Sequence, residues 1–296
     1  MLDIEEAEKL YAAYRLSEAI PVFQKAAGEG NSRAMYFLYR YENNSSQNSL
    51  SGEMTGGDWL KKGAEAGDPL CGILFLASSM AKASPLQEKE AEWVKALEEA
   101  APSDVFSATE LAFYYIRKNL DKEDRKSTAE KEKAFRLLRR AADKGFMEAA
   151  SALGARFVMD ENPKKHKEGF PYMKQAAEAG VPMAIGNLAN CYYYGKGTKK
   201  DRRLAKRYYE KAASLGLESS AMQLGAICYE EGEKERAFEI FKGSAERGWP
   251  DSMGWLAVCY YMGFGTEENR FLSKMWLEKA KAAGSTDAAA ALEKYF

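Results

Sequence analysis

Apolar residues recur three and four positions apart along almost the whole chain, with small residues set between large ones and polar runs outside them. That is the period of amphipathic α-helices, and no stretch alternates as a strand would. Glycines closing Ala-rich stretches stand at Gly30, Gly67, Gly145, Gly180, Gly216, Gly248 and Gly284, a period of roughly 36 residues, with Ala101 in the glycine's place in one degenerate copy. Eight positions after them come Leu38, Phe75, Leu153, Leu188, Leu224, Leu256 and Leu292. Four before them come Ala26, Gly63, Ala141, Ala176, Ala212, Ser244 and Ala280, and eight before them Val22, Trp59, Leu137, Tyr172, Tyr208, Ile240 and Trp276.

Large residues alternating with small ones at helical spacing let two helices interlock, so each repeat reads as an antiparallel hairpin. The glycine suits the left-handed residue after the second helix, and Pro69, Pro182 and Pro250, two residues later, suit the first turn of the next. One hairpin has no way to bury its apolar faces alone, so neighbours must stack. The expectation is a single all-α domain over 1–296, an α-solenoid in the form of a right-handed superhelix of about eight hairpins. Their bounds fall near 3–30, 31–67, 68–101, 103–145, 146–180, 181–216, 217–248 and 249–284, with a capping helix at 285–295.

The stretches "LANCYYYGKGTKKDRRLAKRYYEKAASLG" and "AMQLGAICYEEGEKERAFEIFKGSAERG" resemble Sel-one-like repeats, the close relatives of tetratricopeptide repeats. The shared features are an LG or LA pair, a tyrosine three residues on, a GxG turn with a nearby Asp, and a helix ending KAA and glycine. The resemblance spans nearly the whole chain and implies a partner-binding scaffold. "CYYYGKGTKKD" recurs as "CYYMGFGTEEN", keeping the glycines and threonine while losing the lysines, and neither copy has phosphate-loop spacing. The GxGT run is therefore read as an enlarged inter-helix turn. The polar insertions at 43–57 and 120–130 read as loops, and "NPKKHKEG" as a polar turn.

The chain has 296 residues, 46% hydrophobic and 29% charged, with 43 basic and 44 acidic side chains and a net charge of −1. No global field draws it to nucleic acid or an anionic membrane. With no signal-like start and no bilayer-length apolar run, it reads as cytoplasmic, and the resemblance points to a bacterial protein; signal-less secretion stays open. Cys71, Cys191, Cys228 and Cys259 show no CxxC pair and read as reduced packing residues. His166 is the lone histidine and has no nucleophile motif beside it. The carboxylates read as solvent-facing, so no enzyme activity, metal or cofactor is expected. A cysteine-rich secreted branch of the family is linked to β-lactam binding and hydrolysis, but its cysteines pair within hairpins, and Cys191, Cys228 and Cys259 all lie on first helices.

A second stripe on the first helices carries more aromatic surface than a solvent face requires: Asn190, Tyr193 and Tyr194, then Met222 and Tyr229, then Val258, Tyr261 and Met262. The resemblance implies that such positions line a concave groove for a peptide or protein. Phe113, Arg117, Tyr36 and Arg40 extend the same surface toward the N-terminus. The alternatives are that the tyrosines pack between repeats, or that a basic patch of Lys196, Lys199, Lys200, Arg202, Arg203, Lys206 and Arg207 holds nucleic acid or a phospholigand.

Overall fold

The computed structural model describes residues 3–44, 50, 54–82, 84–120, 122 and 124–296, and among them there are α-helices, two short 3-10 segments and no strand. The helices come in pairs: α1 (Ile4–Ala12) with α2 (Leu16–Gly28), α3 (Ser32–Asn44) with α4 (Gly56–Glu65), and α5 (Pro69–Ala77) with α6 (Glu90–Ala100). There follow α7 (Val105–Lys118) with α8 (Arg125–Asp143), α9 (Met147–Val158) with α10 (Pro163–Glu178), and α11 (Pro182–Tyr194) with α12 (Arg202–Ser214). The last pairs are α13 (Glu218–Glu230) with α14 (Lys234–Glu246) and α15 (Pro250–Met262) with α16 (Arg270–Ala282), before a final α17 (Thr286–Tyr295). This is the all-α hairpin array of an α-solenoid. The chain forms two compact units, Met1–Asn187 with Lys196–Thr198, and Leu188–Gly195 with Lys199–Phe296.

The repeat punctuation has a plain backbone cause. Gly30, Gly67, Gly145, Gly180, Gly216, Gly248 and Gly284 all sit at φ between 85° and 100°, where a Cβ would be strained. Pro69, Pro182 and Pro250 each occupy the first helical position, where the missing N–H would have had no partner. Side chains of Asp68, Asp104, Asp124, Asp201, Asn269 and Ser285 cap the helices that follow them, each contributing about 1 kcal/mol.

The small column lets paired helices touch. A Cβ on Gly225 would lie 2.6 Å from the Phe241 ring, and one on Gly154 would lie 2.8 Å from the Met173 backbone nitrogen. The GxGT turns are packing devices too. Gly197 and Gly265 have φ of 74° and 72°, and a Cβ on them would lie 2.3 Å from the His166 carbonyl oxygen and 2.1 Å from that of Lys234. Each second glycine thus lays the turn directly on the start of the preceding hairpin's second helix. Asp201 N–H and Asn269 N–H donate back to the Tyr192 and Tyr260 carbonyls at 2.9 and 2.8 Å, closing both turns alike.

Two local expectations are corrected. The run after Leu120 is helical from Arg125, because Asp124 caps it by accepting from the N–H groups of Lys126 and Ser127. His166 lies within α10 and is half-buried, its Nε2 2.6 Å from the Asp160 carbonyl oxygen, and is not in a polar turn. Most of the 43–57 insertion lies outside the described residues. The irregular third hairpin replaces the glycine turn with a buried right-handed Ala101 and seats Trp93 over Gly72, where a Cβ would be 2.3 Å from the indole.

Candidate partner-binding groove

In the N-terminal unit the first helices turn their inner faces on one another. Tyr11 of α1, Phe37 of α3, Phe106 of α7 and the following Phe146 form a buried aromatic chain with Phe23. Phe23 and Phe37 stack at 4.2 Å, and Phe37 meets Phe106 edge-on at 4.8 Å. Such pairs add about 0.5–1.5 kcal/mol each beyond their burial. Charges close the rest. Arg33 joins Glu8 at 2.5 Å to Asp104 at 2.9 Å, and Arg40 joins Glu148 to Glu110, the latter at 3.6 Å.

Tyr36 and Arg40 therefore leave the sequence-predicted groove. Tyr36 is fully buried and donates to Glu110 at 2.9 Å, while Arg40 is held between two buried carboxylates. Glu110 and Glu148 likewise depart from the expected solvent faces. Burial pushes the Glu110 carboxyl above its ordinary value, opposed by the charge of Arg40 and the Tyr36 hydroxyl. Arg40 Nε and Glu110 Oε2 are buried without a hydrogen-bond partner in the protein. Phe113 is half-buried, and exposed Arg117 borders a recess with Ile73, Glu90 and Tyr114.

The C-terminal unit keeps an open inner face. Met222 of α13, Gly254, Trp255 and Val258 of α15, and Ala288 and Ala291 of α17 surround a cavity of about 500 Å³, with Asp251 and Asp287 at its edge. A second recess of about 250 Å³ adjoins it, sharing Val258, Leu277 and Ala291 and walled by Tyr261, Met262, Tyr295 and Phe296. Val258 and Met262 are 36% and 61% exposed, so this apolar surface faces solvent.

Gly254 sets the depth of the groove. A mid-helix glycine costs roughly 0.5–1 kcal/mol relative to alanine. At Gly72, Gly154 and Gly225 a packed neighbour accounts for it, whereas a Cβ on Gly254 would meet nothing within 4 Å. Packing within the chain does not demand this glycine.

The remaining predicted tyrosines are partly packing residues. Tyr193 leans on Tyr194 and Tyr209 and lies under Arg202, and Asn190 accepts from the Tyr209 hydroxyl at 2.6 Å. Tyr194 remains 51% exposed. Tyr229 packs on Trp255 and Phe264 and points its hydroxyl at the Met262 sulfur, 3.4 Å away. Of the basic residues, Arg202 pairs with Glu230 and Glu231, and Lys206 with Glu231 and Glu233. Lys199, Lys200, Arg203 and Arg207 are exposed, and Lys196 is half-buried. The paired carboxylates neutralise part of the patch.

Sequence reasoning missed Asp251, Trp255, Asp287, Ala291, Tyr295 and Phe296. The signal was present, because α17 follows Gly284 as α15 follows Gly248 and continues the same columns. Among the described residues no group of three or more His, Cys, Asp or Glu side chains could hold a metal ion, and no helix is long and apolar enough to cross a membrane. The four cysteines are buried and form no disulfide, and burial raises the Cys259 thiol to about 11.

Two solved structures share this fold over 98% of the chain. A Sel1 repeat protein from Oxalobacter formigenes aligns at 22% identity with a TM-score of 0.60, over 87% of its own chain. The protective antigen c5321 of uropathogenic Escherichia coli, described as displaying an SLR fold, aligns at 21% identity with a TM-score of 0.63, over 63% of its chain. Among curated proteins, mouse DAP3-binding cell death enhancer 1 is 31% identical over 101 residues, 34% of this chain. The match spans 20% of that relative's length. Residues 127–146, 148–181, 182–217, 219–249 and 250–285, more than half of the chain, match the Sel1 repeat family model. The last four segments coincide with the hairpins closed by Gly180, Gly216, Gly248 and Gly284, the first covers the second helix of the hairpin closed by Gly145, and the chain belongs to the Sel1 repeat family.

Proposed function

We propose that this protein is a non-enzymatic interaction module that holds a segment of a partner protein in the groove across α13, α15 and α17. Sel1 repeat proteins generally mediate protein–protein interaction. The observation that carries the reading is the open apolar cavity floored by Gly254, a glycine that packing within the chain does not require. Large contiguous apolar recesses on a soluble surface are where partners dock, and small residues beside aromatic ones leave pockets for side chains. The name of the mouse relative records binding to a protein, in keeping with this class of function. A cytosolic site of action belongs to the same reading.

A photo-crosslinking amino acid placed at Val258 or Met262 should capture a protein partner in lysate of the native host. The same group at Phe271, 77% exposed on α16, should capture little. Capture mainly from Phe271, or from Arg203 and Arg207 with loss at moderate salt, would contradict the groove and favour binding through the basic residues.

A further inference from the structure

We infer that the groove selects a partner segment carrying a cationic side chain and, about five residues away in extended conformation, a large apolar one. This rests on the groove being the partner site. The two ends of the groove differ in chemistry. At one end stand Asp251 and Asp287, both exposed and, among the described residues, neither in an ion pair or side-chain hydrogen bond. They occupy equivalent positions, three residues after Gly248 and Gly284, and line the same cavity from successive first helices. Each lies in the first turn of its helix.

Among the described residues no cation lines either cavity. At the other end Val258, Tyr261, Met262, Tyr295 and Phe296 make a recess with no charged wall. Eleven residues of α15 separate Asp251 from Met262, about 16 Å at 1.5 Å per residue, which an extended chain crosses in about five residues. Gly254 lies between the two ends and leaves room for backbone to pass close to α15. An Arg or Lys at the acidic end would gain charge-assisted hydrogen bonds, while an acidic side chain there would be repelled.

The test uses the full chain and capped synthetic peptides of Gly and Ser bearing one Arg and one Leu at separations of two to eight residues, with Gln-for-Arg and Glu-for-Arg counterparts. Fluorescence anisotropy compares the wild type with Asp251→Asn/Asp287→Asn and with Gly254→Phe, each checked for native helicity and melting. The Arg peptide should bind most tightly near a separation of five residues and about tenfold tighter than its Glu counterpart, the effect of about 1.4 kcal/mol. The double Asn variant should lose that preference and keep the dependence on Leu, and Gly254→Phe should lose both.

If Gln or Glu peptides bind the wild type as well as Arg peptides, or the Arg preference survives in the double variant, the selectivity is overturned. Loss of that binding in Gly254→Phe would then still uphold the groove. If Gly254→Phe binds every peptide as the wild type does, or no peptide binds the wild type at millimolar concentration, groove and selectivity fall together.

Discussion

The two units use one repeat frame and treat its inner face in opposite ways. In the N-terminal unit Tyr11, Tyr36, Phe37 and Phe106 fill the space between first helices, and Arg33 and Arg40 clasp four carboxylates across it. In the C-terminal unit the inner columns hold Gly254, Ala291, Val258 and Met222, and a cavity of about 500 Å³ remains. Large inner-column side chains fill the space in one unit, and small ones leave a cavity in the other.

The largest effect should come from opening the closed face. Arg40→Leu leaves Glu110 and Glu148 buried without their shared cation, and urea unfolding should show a loss of about 3–5 kcal/mol. A loss under about 1 kcal/mol would mean that solvent reaches the cluster, in keeping with the 17% exposure of the Arg40 side chain.

Two glycines sharpen the contrast at smaller scale. Gly225→Ala drives a methyl into the Phe241 ring and should cost about 1–3 kcal/mol. Gly254→Ala meets open space and should stabilise by about 0.5–1 kcal/mol while weakening partner binding. Thermal melts and binding titrations of the pair check both signs.

A finer probe of the closed face is pH. The folded Glu110 carboxyl binds its proton more tightly than the unfolded chain does, so its protonation favours the folded state. Stability from this group is present at low pH and lost as pH rises through the raised folded value. Between about pH 7 and pH 4 the wild type should therefore gain stability relative to Glu110→Gln as the solution is acidified. Asp104 runs the other way. Burial pushes its carboxyl up, but Arg33 and Ser107 outweigh that and hold it below the usual carboxylate value, so its contribution fades as pH falls through that lowered value.

Much of the frame was legible because it is periodic and local. The glycine column, the prolines after it and the GxGT turns each answer to the backbone geometry of a few residues, and the structure places them at the hairpin ends. The closed face was not legible in the same way, since Tyr11 and Arg40 meet Glu148 across 137 and 108 residues. Periodicity identifies the inner column of a repeat without saying how tightly the repeats curl. One local sign was available: Glu110 is the lone charge in the stretch from Val105 to Tyr115, and a charge buried there must find a partner. At the groove, Met222, Val258, Tyr261 and Met262 were legible as a stripe. Asp251, Asp287 and the aromatic wall required α17 to be read as one more first helix.

Inner-face residues are core in one unit and surface in the other, and a lysine placed on each face tests that difference. Equilibrium unfolding of Tyr36→Lys and Val258→Lys, followed by far-ultraviolet circular dichroism, should give a loss of about 3–5 kcal/mol or more for the first. The second should fall within about 0.5 kcal/mol of the wild type. Equal losses in the two variants, or a tolerated lysine at position 36, would contradict it.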